Sequence, residues 1–183
     1  MKRCGWVKEN NPLYVRYHDN EWGKPLHDDQ KLFELLCLET YQSGLSWETI
    51  LSKRQGFREA FHNYDAVAIS KMTDKELDSL LGNPAIVRNK MKIYATRSNA
   101  QAFLNIQSEF ESFDAYLWSF VSYKTIENQI VDYKEAPTKT PLSEKLSKDL
   151  KKRGFKFVGP VCVYSFLQAA GMVNDHEESC SFR

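Results

Sequence analysis

The sequence lacks the features that would place it in a membrane, outside the cell, or among the common nucleotide-binding enzymes. No window approaches the roughly 18 to 20 unbroken apolar residues of a membrane span. The N-terminus, Met1-Lys2-Arg3-Cys4-Gly5-Trp6, carries no signal-peptide apolar run. A cytoplasmic protein with no membrane association is expected, and nothing implies an obligate protein partner. An excess of one charge is also missing. The formal net charge is +1, so any affinity for nucleic acid must come from local clustering rather than from a global field. Neither GxGxxG, GxxxxGK[ST] nor GxSxG occurs, which argues against a Gly-rich nucleotide loop and a nucleophile elbow. No convincing strand run or internal repeat is present, so the chain is expected to be essentially all-α. The four cysteines, Cys4, Cys37, Cys162 and Cys180, in a chain without an export signal point to thiols or a metal rather than disulfides.

At 183 residues the chain is long enough to bury a sizeable core as one domain or as two lobes sharing it. The first 25 residues mix Trp6, Tyr14, Tyr17, His18 and Trp22 with polar residues without a sustained period, and read as an ordered wrap. Asp28 is a plausible N-cap for a helix to about Glu39, and Ser46 for one ending near Tyr64. Thr73-Asp74-Lys75-Glu76 is a capping box. A long helical period covers Ile86 to Ile106, and Phe113 to Val121 reads as another helix. Ser122 to Thr140 reads as a surface loop. Pro141 suits the first turn of a helix reaching Arg153 and halted by Gly154, and Gly159-Pro160 opens a last helix ending at Gly171.

One stretch breaks the apolar pattern. Leu32, Leu35, Leu36 and Glu39 share a helix face by their spacing of three and four, which turns a carboxylate inward. A buried, unpaired carboxylate needs donors, a cation or a ligand, or else gives up its charge. Gly44 then breaks the helix and presents Leu45 and Trp47 beside Glu39. One reading is a ligand pocket floored by a carboxylate and walled by an indole; the other is a glutamate solvated at a frayed helix end.

The chain's basic patch lies between Lys148 and Lys156, where Lys148, Lys151, Lys152, Arg153 and Lys156 stand against Asp149 alone. It surrounds the tight connection from Gly154 to Gly159. A helix N-terminus reached through glycines can receive a phosphate on its backbone N–H groups, and the lysines suit sequence-independent grip on a duplex backbone. Solvated lysines on an ordinary helix connection are the alternative. At the two ends of the chain, Cys4 and His18 and then His176 and Cys180 could complete a tetrahedral Cys2His2 zinc site, or be buried thiols and core histidines.

Taken together these blocks resemble the helix-hairpin-helix DNA glycosylases, and within them the 3-methyladenine DNA glycosylase I group. The similarity runs through Arg3-Cys4-Gly5-Trp6-Val7, Tyr17-His18-Asp19-Asn20-Glu21-Trp22-Gly23, Cys37-Leu38-Glu39, Gly44-Leu45-Ser46-Trp47, Lys151 to Gly159 and Val173-Asn174-Asp175-His176. It implies a single helical unit over residues 1–183, built as two lobes with a base pocket between them and the helix-hairpin-helix at about 141–171. It also implies a structural zinc at Cys4, His18, His176 and Cys180, joining the two ends of the chain. The implied activity is excision of N3-methyladenine from alkylated double-stranded DNA by a monofunctional glycosylase, leaving an abasic site. Glu39 would be the catalytic group and, with Trp6, Tyr17, Trp22 and Trp47, would bind the base; Leu45 would enter the duplex as a wedge, unless it folds back into the core. Lys151, Lys152, Arg153, Gly154, Lys156 and Gly159 would hold the DNA. The chain departs from the family pattern at Thr40 and Ser43, where Gly and Ala are expected, which bears on fine selectivity. Asp175 lies near the place of a helix-hairpin-helix catalytic aspartate, but its neighbour His176 makes a role in the metal shell equally fitting. A non-enzymatic zinc-stabilised DNA-binding module is the competing reading; it has no use for a buried Glu39 facing indoles.

Overall fold

Helix α2, Asp29–Tyr41, is the axis of the computed structural model, which describes residues 1–183. Every residue from Leu32 to Tyr41 is buried, so the helix is enclosed on all sides rather than along one stripe. It is surrounded by α3 (Trp47–Ala60), α6 (Lys90–Phe110), α7 (Phe113–Ser119) and α9 (Pro160–Ala169). The starts expected from sequence are built by side-chain caps. Asp28 accepts from Lys31 N and Ser46 from Thr49 N, and Thr73 and Glu76 close a capping box on α5, Asp74–Ser79. Pro141 opens α8, Pro141–Lys152, where Thr140 and Ser143 form a second box. Each such cap contributes about 1 kcal/mol. Asp29 reaches across to accept from Gln107 Nε2 and from the backbone N–H groups of Phe113 and Asp114, which fixes the bend between α6 and α7.

Four regions differ from the sequence-based expectation. The N-terminal stretch contains a helix, α1, over Pro12–Asn20, capped by the Asn11 side chain and carrying proline in its first turn. Its buried side is only Tyr17 and His18, too few positions to show a hydrophobic period. A short helix α4, Ala66–Ser70, follows Asp65, and α6 starts at Lys90 rather than near Ile86. Within the segment 122–140, Ile126–Glu127 (β1) pairs in parallel with Val173–Asn174 (β2), Ile126 opposite Val173, and Ile130 bridges Glu177. Strands of two residues cannot display alternation, yet these turn the expected surface loop into a strap over the C-terminal segment. The chain ends meet beside it: Ser181 N donates to Lys2 O at 2.8 Å and Lys2 N to Ser181 Oγ at 3.0 Å. No helix is long and apolar enough to cross a membrane.

Candidate active site

The inward turn of Glu39 is realised. Its residue is 5% exposed, and one carboxylate oxygen, Oε2, is buried with no hydrogen-bond partner. Burial alone raises its pKa to about 8, which near neutral pH favours the protonated form. It borders a cavity of about 330 Å³ that also contains Trp6, Tyr17, Trp22, Gln42 and Trp47. The Tyr17 and Trp47 rings lie 5.3 Å apart and those of Trp6 and Trp22 4.9 Å apart. Trp47 Nε1 is a second buried polar atom without a partner. A cavity walled by aromatic rings, with one acceptor and one donor left unsatisfied, suits a flat heteroaromatic ligand carrying polar edges, and a carboxyl group of this kind suits a cationic one. The five residues expected to line a base pocket are thus brought together.

Other lining residues escape sequence reasoning. Gln42 lies on the turn just after Glu39, while Ser165 and Gln168 project from α9 and Tyr133 and Thr138 from the strap. The spacing of Val161, Ser165 and Gln168 along α9 marks one helix face, but nothing in the sequence pairs that face with Glu39. Asp175 also reaches the cavity. Its carboxylate accepts from Tyr164 Oη and Gln168 Nε2, each at 2.6 Å, and from Asn128 Nδ2 at 2.7 Å.

A groove of about 450 Å³ adjoins the cavity and shares Glu39, Gln42, Val161 and Ser165 with it. Leu45 forms one lip, 39% exposed on a turn whose Gly44 has φ +78°; it is not folded back into the core. Phe157 and Gly159 of the connection between α8 and α9 form the other. Gly154 takes φ +100° there, and Gly159 caps α9 without a side-chain hydrogen bond, which leaves the helix N–H groups free for an anion. Lys151, Lys152 and Lys156 are exposed around this turn. Arg153 is half-buried and engaged within the protein. Its guanidinium donates to Asp149 and Glu109 at 2.7 Å and lies over the Phe110 and Tyr116 rings, so it is held in a network that anchors α8 to α6 and α7.

The terminal Cys/His residues converge as well. The ligand atoms of Cys4, His18, His176 and Cys180 all lie within 4.8 Å of one another, and all four residues are buried. His18 Nδ1 pairs with Asp19 Oδ1 and His176 Nδ1 with Asn174 Oδ1, each at 2.8 Å, so each ring is oriented through the nitrogen that a metal would not use. His176 Nε2 has no partner. Burial lowers the pKa of His176 to about 4, which keeps its ring neutral. Two soft sulfurs and two oriented imidazoles fit a tetrahedral cation with no position left open for water. Gly23, at φ +73°, is required here, because a Cβ would come within 2.4 Å of His176 Cε1.

The chain is similar to known proteins over almost its whole length. A family model described as methyladenine glycosylase matches residues 6–183. The chain is 48% identical to DNA-3-methyladenine glycosylase 1 of Escherichia coli strain K12, over 98% of this chain and 96% of the relative. It is also 48% identical to DNA-3-methyladenine glycosylase of Haemophilus influenzae, over 97% and 96% respectively. Among solved structures it is similar to a 3-methyladenine DNA glycosylase I, with TM-score 0.95, 48% identity and 98% coverage of both chains. It is likewise similar to the Staphylococcus aureus enzyme whose structure addresses recognition of 3-methyladenine, with TM-score 0.95, 40% identity and coverage of 99% and 96%.

Proposed function

The chain belongs to the methyladenine glycosylase family, and from that premise we propose how its residues divide the work of excising 3-methyladenine from alkylated DNA as a monofunctional base-excision glycosylase. Methylation at N3 makes the adenine of the nucleotide cationic. Cleavage of the bond between the base and C1′ returns the bonding electrons to the base, which leaves neutral, while water adds to C1′ and releases a proton. Because the leaving group is already activated, the protein's main tasks are extracting the base from the stack, at a cost of a few kcal/mol, and preferring the cation. Leu45 fills the vacated stack, and Lys151, Lys152 and Lys156 with the Gly154 and Gly159 turn hold phosphates. The base then enters the aromatic cavity between Tyr17, Trp6, Trp22 and Trp47. Glu39 releases its proton to solvent as the cation arrives and its carboxylate accepts from the exocyclic amine, so neutral adenine gains less from the same pocket. Asp175 borders the same cavity with its carboxylate engaged by three donors, and it is not the base-reading group.

The observation that carries this reading is the unpartnered Glu39 oxygen beside the unpartnered Trp47 nitrogen in one cavity. A non-enzymatic binding module leaves both without a purpose. Chromatography of bases released from methylated duplex DNA tests it. Free 3-methyladenine released from an unbroken backbone is the expected result, and binding without base release would overturn it.

We also propose that Cys4, His18, His176 and Cys180 hold a structural zinc. The convergence of four oriented donors and the orphaned His176 nitrogen support it. The ion would supply a crosslink between the ends of the chain and no part of the chemistry. Around it the chain forms one unit whose two lobes, the α3 to α6 side and the side carrying α1, α8, α9 and the termini, face each other across the cavity.

A further inference from the structure

The two lips of the groove come from distant parts of the sequence, yet one helix stands behind both. On α6 the polar residues Lys92, Thr96 and Asn99 are all buried. Their spacing of four and three places them on one stripe of the helix, where polar groups must find partners. Lys92 Nζ donates to Tyr41 O at 2.8 Å and to Ser43 O at 2.6 Å, the carbonyls that lead into the Leu45 turn. Thr96 Oγ1 pairs with the Tyr41 hydroxyl at 2.8 Å. At the other end of the stripe Asn99 grips the hairpin backbone twice: Oδ1 accepts from Lys156 N at 2.7 Å and Nδ2 donates to Lys156 O at 3.3 Å.

A neutral donor would suffice to cap a helix end. Here an ammonium is buried with backbone carbonyls as its partners, and it spans two of them so that the turn cannot pivot. Seven residues along the same helix, roughly 10 Å away, a bidentate amide does the same for the opposite lip. Wedging a base out of a duplex requires that the wedge push against a backbone held at a fixed distance; with independent lips, the push would widen the groove instead of unstacking the base.

We propose that α6 is a spacer that sets the separation of the Leu45 turn from the phosphate-holding hairpin, with Lys92 and Asn99 as positioning residues for base extraction. This rests on the reading of the groove as the DNA channel. Neither residue touches the base or the scissile bond.

The test compares Lys92→Met, Asn99→Ala, Asn99→Asp and the Lys92→Met/Asn99→Ala double variant with the parent. Three readouts are taken: single-turnover release of 3-methyladenine from methylated duplex DNA, the same from methylated single strands, and quenching of tryptophan fluorescence by free 3-methyladenine. The Met and Ala variants should slow release from duplex roughly tenfold while changing single-strand release and affinity for the free base by no more than about twofold. Asn99→Asp, which keeps the acceptor, should fall between Asn99→Ala and the parent. Since the two sites do not touch, independent structural damage would multiply in the double variant; a shared spacer predicts a double variant little worse than the poorer single. The proposal is overturned if all three readouts fall together, if duplex release is unchanged, or if the losses multiply. Leu45→Ala and neutralised hairpin lysines serve as controls. If they leave duplex release untouched, the channel reading itself fails; if they slow it and Lys92→Met does not, only the spacer does.

Discussion

The aromatic cavity and the Cys/His cluster share a wall but solve opposite problems. Both contain buried polar atoms without partners: Glu39 Oε2 and Trp47 Nε1 in one, His176 Nε2 in the other. In the cluster four donors converge within 4.8 Å, which suits the single ion proposed there and leaves no room for a larger ligand. In the cavity the orphaned atoms border about 330 Å³, which no protein group fills. A polar group left unsatisfied is therefore a structural device where its neighbours converge and a recognition device where they stand apart. The two are linked through Trp22, whose ring lies 4.6 Å from His176 and 4.9 Å from Trp6.

The sharpest way to break the comparison is to test the proposed zinc. Stripping zinc, or replacing Cys180 by Ala, should cost several kcal/mol of stability, since structural zinc contributes on the order of 10 kcal/mol in small metal-dependent domains. Thermal melting with parallel metal analysis checks this. Protein purified without stoichiometric zinc, or a Cys180→Ala variant that keeps both metal and melting temperature, contradicts the structural role.

Next in size is Trp47→Ala, expected to destabilise the fold by about 3 to 5 kcal/mol through lost packing and to slow excision as well. Melting and single-turnover assays should move together for this residue. Loss of excision with unchanged melting would mean that the indole serves the base alone.

Glu39→Gln should separate the two quantities. Losing a hydrogen bond to a charged group, worth about 1.5 to 3 kcal/mol, corresponds to roughly a ten- to hundredfold slower release of 3-methyladenine. Folding should hold or improve. Because burial raises the Glu39 pKa from 4.5 to about 8, the native state keeps a proton that the unfolded chain has released, and stability falls as pH rises between those values. The slope is at most about 1.4 kcal/mol per pH unit from this group. The Gln variant should lose that contribution. Melting curves across the interval decide the point, and parallel pH profiles for parent and variant would remove Glu39 from the account.

The smallest effect concerns the hairpin. Neutralising Lys152 and Lys156 should weaken binding to any sequence and reduce the log–log salt slope by roughly 0.9 for each phosphate no longer neutralised. Arg153, tied to Glu109 and Asp149, should instead affect melting. A flattened slope in an Arg153 variant with unchanged stability would restore it to the DNA surface.

Much of this is legible in the chain because local chemistry announces itself. Asp28, Ser46, Thr73 and Pro141 mark helix starts by capping, and each starts a helix in the structure. Glu39 stands out as a charge on an apolar face. What escapes is whatever depends on distant partners. Helix α1 shows no period because only Tyr17 and His18 face inward, and the strap's two-residue strands carry no alternation. The hairpin lysines are exposed as their pattern suggests, whereas the sequence does not announce the pairing of Arg153 with Glu109, 44 residues away. Lys92 and Asn99 are invisible for the same reason, as polar residues on a helix look solvated until the elements behind them are known.

The meeting of the two terminal segments also sets an order of events during synthesis. Cys4 and His18 leave the ribosome early and His176 and Cys180 late, and Ser181 can reach back to Lys2 only once it has emerged. Until then Trp22 lacks the His176 ring that packs against it, and the wall of the cavity is unfinished. Glu39, deep in α2, gains α9, the last helix of the chain to pack on it, only shortly before that moment. A nascent chain would therefore acquire its hydrophobic interior first and its competence to hold a base last, with the closing step waiting on the arrival of Cys180.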